Sequence, residues 1–167
     1  MFSTGKIILV VLITAINHAV KSDAKGNCSN GTDCRYNHQK PIGFYAMLSK
    51  SLTISGSSTV VFDKVFTNAG DAYDSKTGIF RAPVKGLYYF HCTYLSVGTQ
   101  LHLILMKNNN RMTYGHSQKD RDAGSMTGTL ALEMGDKVFI QHYPTGSEVL
   151  HDQYSSFTGH LISTFGR

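Results

Sequence analysis

No block of like charge marks this 167-residue chain, although basic residues outnumber acidic ones by 16 to 11, for a net charge of +5. Nucleic-acid binders gather such an excess into a stripe. Here it is spread along the chain, so nucleic acid is not an expected partner. Catalytic signatures are missing too: no GxSxG elbow, no HExxH helix and no Walker loop occur. Nor does any spacing pair a nucleophile with a base, so the chain is not expected to be an enzyme. Gly-X-Y repeats and heptads are absent, which excludes a collagen stem and a coiled coil. The chain has no CxxC pair, and its eight histidines are scattered, which argues against zinc.

Long apolar runs are scarce. The one that stands out, Ile7–Ile16 behind Lys6, is too short for the roughly 20 residues a bilayer needs. Its basic start and the small Ser22 at a cleavage position predict a signal peptide over residues 1–22, cut before Asp23. Losing Lys6 and Lys21 with it leaves 14 basic residues against 11 acidic, a net +3. Export makes the three cysteines candidates for disulfides. Residues 23–40 are polar, without apolar period, and read as a flexible linker. Cys28 and Cys34 lie in it, and two pairings stay open: a small local loop, or bridges between neighbouring subunits. Two N-glycosylation sequons, at Asn27 and Asn30, fall in the same segment. Cys92 instead sits inside an apolar strand and reads as a buried thiol.

What the chain does have, from Pro41 onward, is short apolar stretches separated by turn residues, the pattern of an all-β domain over residues 41–167. In Gly86–Tyr94, Tyr88, Phe90, Cys92 and Tyr94 share one face. Leu101, Leu103 and Leu105 share a face of the next strand. Thr127–Glu133 follows, then a hairpin turn at Met134–Lys137, a strand over Val138–Tyr143, and a last one over Ser156–Ser163. Period alone does not choose the topology.

A spaced set of residues does. Phe62, Asn68, Tyr73, Phe80, Gly86, Tyr88 and Phe90, with Ala82-Pro83 between them, resemble the signature of the complement C1q globular domain. The likeness extends over residues 41–163, through Gly135-Asp136 and Ser156-Phe157-Thr158-Gly159. Cys92 departs from it, standing where the family usually has an aromatic. The resemblance implies an antiparallel ten-stranded jelly-roll sandwich of the C1q/tumour necrosis factor type, assembled as a homotrimer. Gly78 and Gly86 are expected where the chain turns. Phe62, Phe80, Tyr88 and Phe90 are expected in the core, and the Tyr88 hydroxyl should find a polar partner.

Loops on a rigid scaffold would carry recognition. Tyr114–Gly124 is expected as one loop, with Arg111, His116, Lys119 and Arg121 as donors for anionic groups or sugar hydroxyls. Tyr143–Tyr154 is expected as another, offering Tyr143 and Asp152. Asp120 and Asp122 alternate as calcium ligands do, and Asp122 falls at a position matching the calcium cluster of several C1q-type trimers. The upstream ligands of that cluster are not matched, since Tyr114 and Gly115 stand there. The function the resemblance implies is a secreted pattern-recognition protein of innate immunity. It would bind microbial glycans or other anionic surfaces through repeated loops. Two rivals are a tumour necrosis factor-like ligand for a cell-surface receptor and a calcium-binding matrix or biomineral protein.

Overall fold

Strict alternation builds the centre of the molecule. In the computed structural model, which describes residues 40–144 and 146–165, every second residue of Gly86–Leu95 is buried. The expected leader, the linker, Cys28, Cys34, Asn27 and Asn30 lie outside the described residues. Twelve strands occur among the described residues: β1 (Gly43–Met47), β2 (Leu52–Ser55), β3 (Lys64–Ala69), β4 (Tyr73–Asp74), β5 (Ile79–Arg81), β6 (Gly86–Leu95), β7 (Leu101–Lys107), β8 (Asn110–Ser117), β9 (Ala123–Leu132), β10 (Lys137–His142), β11 (Ser147–Leu150) and β12 (Ser156–Thr164). Ten of them form two five-stranded antiparallel sheets, β3-β1-β12-β6-β9 and β4-β5-β10-β7-β8, which is the expected sandwich. The other two, β2 and β11, pair as a ribbon.

The core lies between the sheets. Phe62, Phe80, Tyr88, Phe90 and Phe157 are fully buried there, and Cys92 lies among them at 1% exposure. Burial pushes the Cys92 thiol well above its ordinary pKa, so it packs as an inert small hydrophobe. The Tyr88 hydroxyl donates to Val84 O at 2.7 Å, and Tyr73 donates to Phe62 O at 3.0 Å. Both phenols thus reach the layer between the sheets without an unpaired oxygen.

Four expectations need correction. Tyr114–Gly124 is not one loop: Tyr114–Ser117 completes β8 and Ala123 opens β9, leaving 118–122 as the connection. The polar look of that run arises because its inward positions are small. A Cβ on Gly115 would stand 2.5 Å from the Tyr94 hydroxyl, and one on Gly124 would meet the same ring. Likewise, the expected 143–154 loop contains β11. The turn at 134–137 makes no hairpin, because β9 pairs with β6 while β10 pairs with β5 and β7; the chain crosses between sheets there. Finally, Gly86 is not among the positive-φ residues. It is small because a Cβ would meet Ser163 O at 2.6 Å and Leu161 Cδ1 at 2.7 Å.

Gly78 does turn the chain, at φ +73°, with Val60 O only 2.5 Å from where a Cβ would stand. Alanine there combines left-handed strain with a backbone clash. Gly78→Ala is therefore expected to lower stability by about 2 kcal/mol or more, read as a shift of the urea midpoint at unchanged slope.

Candidate functional site

Strand register gathers the connections into two ends. β6 begins with Gly86 beside Thr164 and finishes with Leu95 beside Ala123. β7 begins with Leu101 beside Ser117. The segments 96–100, 118–122 and 143–155 therefore share one end with the β2/β11 ribbon. Backbone bonds knit them together: Val97 N donates to Val149 O at 3.0 Å, His151 N to Leu95 O at 2.9 Å and Arg121 N to Ser96 O at 3.1 Å.

Toward that end, the solvent face of β7 and β8 carries a cross-strand pair, His102 opposite His116. Their rings are stacked, with centroids 4.0 Å apart and planes within 12°. Tyr143, just past β10, stands 6.2 Å from His102 and 6.3 Å from Tyr114, centroid to centroid. The Arg111 guanidinium lies 5.5 Å over the Tyr143 ring, a cation–π contact that holds both chains in place. Between these rings is an open groove of about 410 Å³, lined by His102, Leu103, Tyr114, Gly115, His116 and Tyr143. A larger concavity of about 500 Å³, lined among others by Asp71, Asp74, Arg81 and Met134, contains none of the expected site residues.

Polar groups are buried behind the groove. Glu148, on β11, is 4% exposed and His142, on β10, is fully buried. The Glu148 carboxylate accepts from the His102 backbone N–H at 2.7 Å and stands 3.3 Å from His102 Nδ1 and 3.0 Å from His142 Nε2. His142 Nδ1 faces Gly56 O at 2.7 Å. Both ring nitrogens of His142 thus meet acceptors. This network locks the ribbon onto β7 and fixes the His102 ring from behind.

Of the candidate site residues, His116 and Tyr143 line the groove, and Arg111 stands over the Tyr143 ring without lining it. Lys119, Arg121 and Asp152 share the same end but line none of the groove. Arg121 sits at φ 54° in the 118–122 connection. Asp152 is engaged by His151 Nδ1 at 2.8 Å and accepts from Gln153 N at 2.9 Å. The sequence reading missed His102, His142 and Glu148 as parts of one site. His102 had a readable signal, since it projects from the face opposite Leu101 and Leu103.

Asp120 and Asp122 each accept a backbone N–H from a neighbouring turn, Asp120 from Gly98 N at 2.6 Å and Asp122 from Gln118 N at 2.7 Å, so each serves as a loop staple. Among the described residues, no three His, Cys, Asp or Glu side chains are arranged around a metal position.

Comparison with known proteins agrees with the geometry. The C1q domain family model matches residues 43–162. Complement C1q tumor necrosis factor-related protein 3 from Homo sapiens, and its counterpart from Mus musculus, are each 30% identical over 126 residues. That match covers 72% of this chain and 51% of each relative, so the chain spans about half the length of these curated relatives. Among solved structures, the globular domain of zebrafish complement 1qA superposes with a TM-score of 0.64 at 26% identity, over 75% of this chain and all of that one. Eiger TNF from S. frugiperda gives 0.61 at 12% identity, over 77% of this chain and 97% of that one, a likeness of fold alone. With its two sheets, its aromatic core and the spaced residues from Phe62 to Phe90 all in place, this chain belongs to the C1q domain family.

Proposed function

We propose that the chain is a secreted, homotrimeric recognition protein of innate immunity, a binder and not an enzyme, that holds glycans or other anionic groups on microbial surfaces. One observation carries this: His116 and Tyr143, distant in sequence, line one open groove with flat aromatic walls, and the Arg111 guanidinium lies over the Tyr143 ring. Tyrosine and imidazole faces suit the apolar faces of sugar rings, and a guanidinium suits carboxylates and phosphates. A single open groove of this size binds weakly, so repetition matters.

The outer face of the β3-β1-β12-β6-β9 sheet supports assembly. Leu87, Tyr89, His91, Thr93 and Leu95 alternate there along β6, with exposed Tyr45 and Phe66 in ring contact nearby, 5.5 Å apart. His91 Nδ1 is buried without a hydrogen-bond partner in the single chain. An apolar sheet face with an orphaned ring nitrogen suits a covering subunit. Three linked grooves gain roughly 10² or more in avidity when geometry permits. Calcium at Asp120 and Asp122 belongs to this reading only if neighbouring copies add oxygens, since the ion takes six to eight.

Plates coated with lipopolysaccharide or whole bacteria test the reading. Arg111→Ala and Tyr143→Ala are each expected to weaken binding of the full chain about tenfold, roughly the worth of one charge-assisted contact. Tyr89→Glu, which charges the sheet face, is expected to give monomers in sedimentation and to lose roughly 10² in apparent affinity. Unchanged binding by both groove variants sinks the groove, and monomeric wild type sinks the avidity argument. The 30% identity to complement C1q tumor necrosis factor-related protein 3 favours a second reading, receptor binding in the clefts between subunits. Nanomolar binding to a cell-surface protein, indifferent to the groove variants, would select it.

A further inference from the structure

We infer that His102 and His116 form a two-imidazole site for a borderline transition-metal dication such as Zn²⁺ or Cu²⁺, with Glu148 as its positioning residue. This goes beyond the recognition reading and does not depend on it. The inference starts from register. The two histidines are fourteen positions apart in the chain, yet β7 and β8 set them directly opposite each other, with rings stacked at 4.0 Å and only 12° from parallel. Two nitrogens that share one tetrahedral ion stand roughly 3.3 Å apart, given metal–nitrogen bonds of about 2.0–2.1 Å. As they stand, the stacked rings aim their in-plane lone pairs along parallel planes, so His116, exposed on the rim, must turn its ring toward His102 for both nitrogens to reach one ion, with the backbone in place.

The surroundings are those of a ligand histidine. His102 turns Nδ1 toward a Glu148 oxygen at 3.3 Å, leaving Nε2 on the far side of the ring. A carboxylate behind one imidazole nitrogen fixes the tautomer and raises the basicity of the other, as it does at histidine metal sites generally. Glu148 is itself held by the His102 backbone N–H and by buried His142, so the orientation of the ring is set before any ion arrives. His116 is exposed and completes the pair from the rim. Both line the open groove, so two or more coordination positions face solvent. Imidazole suits zinc, copper and nickel, and for a given nitrogen site Cu²⁺ is held most tightly. Calcium and magnesium, which take oxygen ligands, are excluded by the donor set. An ion held there would present open positions to carboxylates or hydroxyls entering past Tyr143.

Isothermal titration of the full chain with Cu²⁺ and with Zn²⁺ alone is the test. His116→Ala and His102→Ala are each expected to remove one ion per chain from the isotherm, while His160→Ala, on another sheet, leaves it unchanged. Copper bound to wild type should show nitrogen couplings from two imidazoles in its electron paramagnetic resonance spectrum, and the variants should lose them. Glu148→Gln is expected to keep the stoichiometry and weaken Cu²⁺ about 10- to 100-fold, the usual effect of removing such a carboxylate. His116 is exposed, so its variant folds and keeps the test decisive if Glu148→Gln does not. Isotherms for His102→Ala and His116→Ala that match wild type would overturn the assignment. Retained metal uptake in Arg111→Ala and Tyr143→Ala, with surface binding lost, would separate this site from the recognition groove.

Discussion

Truncating Phe157 to alanine is expected to destabilise the domain by about 3–5 kcal/mol, the usual cost of removing a packed phenylalanine ring. Phe157 enters the core from β12 and meets Phe44 edge-on at 4.9 Å, Phe62 at 5.8 Å, Phe90 at 6.1 Å and Tyr73 at 6.3 Å. It is fully buried, and its neighbours come from both sheets and from the segment before β3, so no single element can relax to fill the void. A domain of this size has roughly 5–15 kcal/mol in total, so the variant stands near the edge of folding at 37 °C. Urea unfolding followed by far-UV circular dichroism, at matched protein concentration, measures the loss. A drop below about 1 kcal/mol would mean that the aromatic cluster is not packed as described. Met134→Ala, at 75% exposure, is the matched control and should stay within about 0.5 kcal/mol of wild type.

Removal of the Glu148 carboxylate is the second large effect. Glu148→Ala leaves His142 without an acceptor for Nε2 in a fully buried position and strips the His102 backbone N–H of its 2.7 Å partner. Removing one partner of a buried polar pair typically costs about 1–3 kcal/mol, and more where the group is charged, because the remaining group loses its partner and regains no water. A double variant, Glu148→Ala with His142→Leu, removes both polar groups and should recover a good part of the loss. The cycle of single and double variants gives the coupling directly. Additive losses would show that the two side chains do not form one unit. The damage should also be local before it is global: amide exchange should rise first in β2 and β11, the ribbon that Glu148 fastens.

The sandwich was readable because its strands alternate cleanly. Gly86–Leu95 buries every second side chain, and large aromatics fill those positions, so period and residue type point the same way. β8 was not readable, for a physical reason. Tyr94 crosses the layer between the sheets and occupies the space under Gly115 and Gly124, so the inward positions there are small and the strand looks like a polar loop. The site was half legible for a related reason. Arg111, His116 and Tyr143 could be picked out as exposed donors and faces. Their meeting with His102 and Glu148 depends on register between strands, and no local pattern encodes that. β11 shows the same limit, since four residues inside a polar stretch become a strand only because β2 is there to pair with them.

Order of synthesis acquires weight from the place of β12. The last of the described strands is not an edge but an interior member of its sheet, hydrogen-bonded to β1 on one side and β6 on the other. Until it emerges, the opening strand and the long central one have a gap between them, and the aromatic centre lacks Phe157. A nascent domain therefore stays unfinished until β12 has been made. Closure then comes as a late, all-at-once event that joins the two extremes of the domain, a slow class of folding reaction dominated by distant pairings. Loss of Ser156–Thr164 would open the middle of the sheet and not merely trim its border.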